Sequence, residues 1–195
     1  MHDWDEFADS WDDAVGTQIY AEGAYRSLLD TLDARGLTLD GMRVLDFGCG
    51  TGLLTEFLVG RVVSVDGVDI SPKMREVFAS KIRARSWENV TVHADLPDDE
   101  MDLVVCSSVL GFVDDYTATV AELADRLAPG GLLVHWDWAR DEEHPSEGGL
   151  TLEEIRSGLT DAGLGAVAAG VGFEASVEGE EMSPLMGAAQ RPPSP

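Results

Sequence analysis

Apolar and polar positions along this chain switch between two periods, and the switches mark out its elements. Residues 17–35 place Ile19, Ala24, Leu28, Leu29 and Leu32 at helical spacing, and Gly36 stops the pattern. Residues 42–46 form a short apolar run of strand length. A helix follows at 53–61 and a second strand at 65–70. Ser71 and Pro72 supply an N-cap and a first-turn proline for a helix running to about residue 85. Residues 89–93 read as a third strand. Residues 102–109 read as a fourth, whose nearly unbroken apolar run suits burial on both faces. A helix at 115–128 is ended by Pro129, Gly130 and Gly131. Strand five spans 132–138. Thr151 and Glu154 open a helix at 151–162 with a capping box. Residues 167–177 and 184–190 close the chain as a hairpin. Ahead of the first helix, Trp4, Phe7 and Trp11 have helical spacing. The pairs Trp4-Asp5 and Trp11-Asp12 lie seven residues apart, which puts them on one helical face.

Strands alternating with helices predict an α/β fold, a doubly wound and mostly parallel sheet with right-handed crossovers. The ligand site of such a sheet lies beyond the carboxyl ends of its strands. The pattern divides into a helical cap or lid at 1–40, a core at 41–190 and a disordered tail at 191–195, all within a single domain. A chain of 195 residues with 44% apolar content can bury a full core. No apolar run approaches the ~20 residues that cross a bilayer. The acidic start lacks the features of a signal peptide, so a cytoplasmic location is expected. Cys49 and Cys106 lack metal-ligand spacing and read as structural thiols.

Charge narrows the partners. The net charge is −24, from 37 acidic and 13 basic residues, and only Lys73 and Lys81 among the bases are lysines. Such a chain repels phosphate backbones, which disfavours nucleic acid. The same composition fits either a salt-adapted protein or a solvated acidic surface from a GC-rich genome. Oligomeric state is not readable from it.

The chemistry concentrates at residues 44–52, Val-Leu-Asp-Phe-Gly-Cys-Gly-Thr-Gly. A strand ends in Asp46, and Gly48, Gly50 and Gly52 make a tight loop that lets backbone approach a ligand. A helix N-terminus behind the loop favours negative charge. The spacing is G-x-G-x-G rather than the G-x-G-x-x-G of dinucleotide folds. Asp69 ends the second strand 21 residues after Gly48, where a ribose-binding acid belongs. Asp95 ends the third.

These residues, with Gly67 to Met74 (GVDISPKM), His93 to Leu96 (HADL) and Leu127 to Val134 (LAPGGLLV), resemble the ordered motifs of class I S-adenosylmethionine-dependent methyltransferases. The resemblance covers about 41–190. It implies a Rossmann-like seven-stranded sheet, order 3-2-1-4-5-7-6, with an antiparallel last strand. It implies S-adenosylmethionine as cofactor. Gly48, Cys49, Gly50 and Gly52 would then meet the methionine portion, with N–H groups near its carboxylate. Asp46 would accept from the ammonium, and Asp69 from both ribose hydroxyls. Ile70 and Leu96 would pack on adenine, whose amine would donate to Asp95. Met74 and Ser107 join this set.

Methyl transfer depends mainly on alignment of nucleophile, methyl and sulfur. A general base helps where the acceptor is a hydroxyl or a protonated amine. His135 and Asp137 alternate with Trp136 and Trp138 at the end of strand five, and one pair should face the cofactor cleft. His135 and Asp137 are thus the candidate base and substrate-side group. No metal is required. Relatives often carry a histidine near Gly111 or Phe112, and this chain does not. Trp11 and Tyr20, with Tyr25, are candidates for a lid or substrate wall. Asp66, before Gly67, stands where an apolar residue is usual. The expected acceptor is a small molecule. A non-catalytic cofactor-binding protein and a nicotinamide-dependent oxidoreductase are the competing readings.

Overall fold

The computed structural model describes residues 4–141 and 148–193. The chain divides into two compact units, 1–98 and 99–195. The first opens with two single 3-10 turns, Trp4–Phe7 and Trp11–Asp13, followed by α1 (Val15–Asp33). It continues with β1 (Arg43–Phe47), α2 (Leu53–Leu58), β2 (Ser64–Val68), α3 (Pro72–Arg85) and β3 (Val90–His93). The second holds β4 (Met101–Ser107), a 3-10 turn at Leu110–Phe112, α4 (Tyr116–Asp125), β5 (Leu127–Asp137) and α5 (Leu152–Asp161). It ends with β6 (Gly165–Val171), β7 (Ala175–Val177), β8 (Glu180–Met182) and β9 (Leu185–Gln190). The main sheet has seven strands in the order β3-β2-β1-β4-β5-β9-β6, with β9 antiparallel to its neighbours. This is the expected α/β architecture. Its final strand is the ninth of the chain because β7 and β8 form a small hairpin of their own.

In the first unit, β1, β2 and β3 are parallel and in register, pairing Asp46 with Gly67 and Val68 with His93. Val44, Leu45, Val65 and Val68 are buried. Helix α3 begins as its sequence dictates: Ser71 caps it, accepting from Met74 N–H, and Pro72 takes the first position. Its Phe78 is fully buried and fills the space in front of two glycines. A Cβ at Gly52 would lie 2.2 Å from Phe78 Cε2, and one at Gly67 would lie 2.7 Å from Cε1. Asp66 pairs across the strands with Thr91 and His93, at 2.5 and 2.9 Å, which explains a polar residue at that position.

Several boundaries differ from the expected ones, each for a local reason. The N-terminal aromatics do not form one helix. Spacings of three and four also suit two separate turns, and the Trp4 and Trp11 rings meet edge-to-face at 6.3 Å. Helix α2 stops at Leu58 rather than near Arg61, so only six residues stand behind the glycine loop. Helix α4 ends at Asp125, and Pro129, Gly130 and Gly131 belong to β5. There Gly130 N–H donates to the Arg191 carbonyl, and Arg191 N–H to the Gly131 carbonyl. Arg191 is therefore anchored rather than part of a loose tail, and residues 194–195 lie outside the described residues. The expected strand at 167–177 breaks at Gly172. The Trp136 indole packs there, 2.6 Å from where a Cβ would stand, and Gly172 N–H turns to the Pro184 carbonyl.

Candidate functional site

The carboxyl ends of β1, β2 and β3 point the same way, so their following loops share one edge of the first unit. Gly48, Gly50 and Gly52 have φ of 70°, 53° and 84°. This left-handed backbone costs other residues about 1–2 kcal/mol each, so the alternate glycines follow from the turn itself. The loop hangs from the end of β2. Gly48 and Cys49 N–H both donate to the Val68 carbonyl, at 2.7 and 3.0 Å. Gly50 N–H donates to Asp69 Oδ2 at 2.8 Å. Gly52 N–H donates to the Cys49 carbonyl. These amides are consumed inside the protein, which corrects the expectation that they gather around a ligand carboxylate. The six-residue α2 adds little dipole to such a role.

The acids remain informative. Asp69 Oδ1 accepts from Ser71 N–H at 2.8 Å, so Asp69 ties the glycine loop to the start of α3. A carboxylate offers about four acceptor positions, which leaves one on each oxygen for a vicinal diol. Burial raises the Asp69 pKa, opposed by the Ser71 and Gly50 N–H groups. Asp46 is 1% exposed. Its Oδ2 accepts from the Thr55 hydroxyl at 2.7 Å, while Oδ1 has no partner among the described residues. Burial pushes this carboxyl to about 6; the Thr55 hydrogen bond opposes the rise and the Asp69 charge adds to it. An orphan buried acceptor costs about 1–3 kcal/mol, and a cation would satisfy it. Ile70 is 76% exposed beside Asp69 and offers an apolar surface to a ring. Asp95 is exposed and Leu96 half-buried, just beyond β3. Cys49 is buried, and burial pushes its thiol far above its ordinary value, leaving it neutral. Taken together these residues fit the ammonium, ribose and adenine of S-adenosylmethionine.

The N-terminal turns lie on this loop edge. Trp11 Nε1 and Met74 Sδ each stand 3.9 Å from where a Gly50 Cβ would be. Asp12 Oδ1 accepts from the Thr51 hydroxyl at 2.5 Å, and Thr51 is fully buried. Asp5 Oδ1 accepts from the Ser71 hydroxyl, also at 2.5 Å, and from Lys73 N–H. The Ser71 bond holds the Asp5 carboxyl below its ordinary value. Thr17 and Gln18 of α1 grip the carbonyls of Trp11 and Asp12. Tyr25 is engaged away from the glycine loop, and Tyr20 is buried. Tyr20 is 6% exposed within the packed face of α1, and Tyr25 stacks on Phe57 at 5.1 Å with its hydroxyl accepting from Arg61. Sequence reasoning missed Thr51, Thr55 and Lys81. The repeated Trp-Asp pair and the scarcity of lysine were the available signals for the Asp12 contacts.

In the second unit, His135 and Asp137 do share a face of β5, but the face is closed. Both residues are 0% exposed. His135 Nδ1 meets Asp137 Oδ2 at 2.8 Å, and Nε2 meets the Tyr116 hydroxyl at 3.2 Å. Asp137 Oδ1 accepts from Gly111 N–H at 2.8 Å. Both ring nitrogens are occupied, which corrects the expectation of an open general base at this strand end. Burial first, then the charge of Asp137, pushes the Tyr116 phenol well above its ordinary range. Trp136 is likewise buried, and of this group only Trp138, 39% exposed, reaches solvent. A Cβ at Gly111 would lie 3.0 Å from the Gly149 backbone, so a side chain there requires that backbone to give way. Ser107 is half-buried at the end of β4, and Ser108 after it adopts φ 57°. Among the described residues no cluster of His, Cys, Asp and Glu gathers to hold a metal, and no helix is long and apolar enough to cross a membrane.

Known proteins resemble this chain in sequence and fold. A ubiquinone biosynthesis O-methyltransferase of Xanthomonas oryzae is 34% identical over 135 residues, covering 65% of this chain and 55% of the relative. A trans-aconitate 2-methyltransferase of Pseudomonas aeruginosa is 36% identical over 94 residues, 47% of this chain and 34% of the relative. The chain thus matches between a third and just over half the length of these relatives. The N-methyltransferase NodS from Bradyrhizobium japonicum, solved with S-adenosyl-L-homocysteine, shares the fold with a TM-score of 0.72 at 17% identity. That match covers 98% of this chain and 100% of NodS. The family model described as a methyltransferase domain matches residues 18–176. The chain belongs to that family, the class I S-adenosylmethionine-dependent methyltransferases.

Proposed function

We propose that this protein transfers the methyl group of S-adenosylmethionine to a small-molecule acceptor that is nucleophilic without help from His135. The observation that carries the reading is the loop edge of the first unit. There a buried, half-unpaired Asp46 and a diol-ready Asp69 flank the left-handed glycine loop. The roles assigned to Asp46, Asp69, Ile70, Asp95 and Leu96 toward the cofactor belong to the same proposal. Cofactor chemistry supplies the methyl on a sulfonium, and the protein's part is alignment. Because both His135 nitrogens are engaged, the reading favours an acceptor atom with a lone pair available near neutral pH. The names of the relatives carry small acceptors, and the acid surplus disfavours polyanions such as nucleic acid.

The sealed His135 also suits a second reading, a non-catalytic protein that binds the cofactor without turnover. Calorimetric titration with S-adenosylhomocysteine, and with NAD in parallel, tests the site. Saturable binding of the first alone supports it, and binding of NAD instead overturns it. Transfer of labelled methyl to members of a small-molecule panel then separates enzyme from binding protein.

A further inference from the structure

Each Trp-Asp pair of the N-terminal segment reaches a different loop of the proposed cofactor edge. Asp5 caps the residue that caps α3, and Asp12 holds the hydroxyl inside the glycine loop. The Asp12 contact has an unusual anchor. Lys81 Nζ of α3 lies 2.7 Å from Asp12 Oδ2 and 2.7 Å from Glu56 Oε1 of α2. The Lys81 side chain is only 10% exposed, in a chain with two lysines and 37 acids. A partly buried pair of this kind is screened less by salt than a surface pair.

We propose that Lys81 is a positioning residue for the cofactor, acting through Asp12 as the pin that latches the N-terminal turn over the glycine loop. Lys81 pairs with Asp12 and Glu56, neither of which is among the residues proposed to bind the cofactor. It holds Asp12 against Thr51, and Asp12 carries Trp11, whose indole stands over Gly50. Lys81 does more than attract. Asp12 and Glu56 are two carboxylates gathered on one ammonium, and without it they repel. Arg85 stays on Glu56 at 2.8 Å, so Asp12 is the partner expelled. Loss of Lys81 therefore opens the latch rather than merely loosening it. The latch gates exchange of the cofactor at this edge, so the inference rests on the cofactor reading above.

The test is the dissociation rate of S-adenosylhomocysteine, measured by stopped-flow displacement on the full chain, with melting temperature recorded alongside. Lys81→Met is expected to speed release about tenfold, a change worth about 1.4 kcal/mol. Lys81→Arg should restore slow release. Glu56→Gln added to Lys81→Met should recover part of the loss by removing the repulsion. In an Asp12→Asn background, Lys81→Met should change the rate far less than alone. A Lys81→Met protein that melts lower yet releases the ligand at the wild-type rate overturns the latch and leaves the cofactor site standing. Wild-type protein that fails to bind S-adenosylhomocysteine overturns the cofactor reading first, and the latch with it.

Discussion

Both units bury a carboxylate on a sheet strand, and the two carboxylates are treated in opposite ways. Asp137 has both oxygens occupied, by His135 and by Gly111 N–H. Asp46 has one oxygen occupied and one empty. The first environment is closed and complete. The second carries an uncompensated polar atom, which a folded protein retains at a cost and which points to a ligand. Burial alone does not separate a structural acid from a functional one; the count of partners does.

That contrast can be broken by making one exchange at both places. Asp137→Asn removes the charge from the bond to His135 and forces either a change of His135 tautomer or the loss of one N–H acceptor, and is expected to cost about 2–4 kcal/mol. The urea midpoint should fall accordingly, and an unchanged midpoint would show that the His135 chain is not closed in solution. Asp69→Ala removes two loop ties and both diol acceptors, so S-adenosylhomocysteine affinity should drop by about 1.5–3 kcal/mol. Calorimetry checks this, and full affinity would relieve Asp69 of its ribose role.

Asp46→Asn should act with the opposite sign to Asp137→Asn. The Asp46 carboxyl has a folded pKa raised to about 6, above its ordinary 3.8. The folded state therefore binds more protons than the unfolded chain between these values, and this group lowers stability as pH rises through that window. Above pH 6 the full penalty of about 3 kcal/mol is present. The asparagine variant should consequently be more stable at neutral pH while binding S-adenosylhomocysteine more weakly. Urea titrations at pH 5 and pH 7.5 should show the gain mainly at the higher pH. A variant less stable at both would mean that Asp46 is compensated as Asp137 is. The smallest effect is expected at Ile70. Its exposure keeps the stability cost of Ile70→Ala within about 0.5 kcal/mol, while ligand affinity should fall by up to about 1.5 kcal/mol if adenine covers it.

The alternation of periods was enough to place the seven main-sheet strands and the five helices, because long periodic segments state their own type. The sheet order came from the motif resemblance, since periodicity does not say which strands are neighbours. The β7–β8 hairpin was invisible because Gly172 looked like any small strand residue, and only the Trp136 ring packed against it explains the break. The acids at strand ends were legible for the same reason the glycines were: turn geometry constrains them locally. The closure around His135 was not legible. Two-residue alternation puts His135 and Asp137 on one face, but whether that face is open depends on Tyr116 and Gly111, 19 and 26 residues away in the hydrogen-bond pairing. The Lys81 pin likewise joins groups 69 residues apart, a distance no local pattern spans.

The Phe78 ring in front of Gly52 and Gly67 sets a rule of order for changes at those two glycines. The third glycine of the motif is held in place by a neighbour on α3 as much as by any ligand. Variation at position 52 or 67 therefore has to follow a smaller residue at 78, and that first step leaves a cavity that costs about 3–5 kcal/mol on its own. Each route that adds a side chain at 52 or 67 passes through a less stable intermediate, so position 78, outside the glycine motif, acts as the lock on those two positions in mutational space.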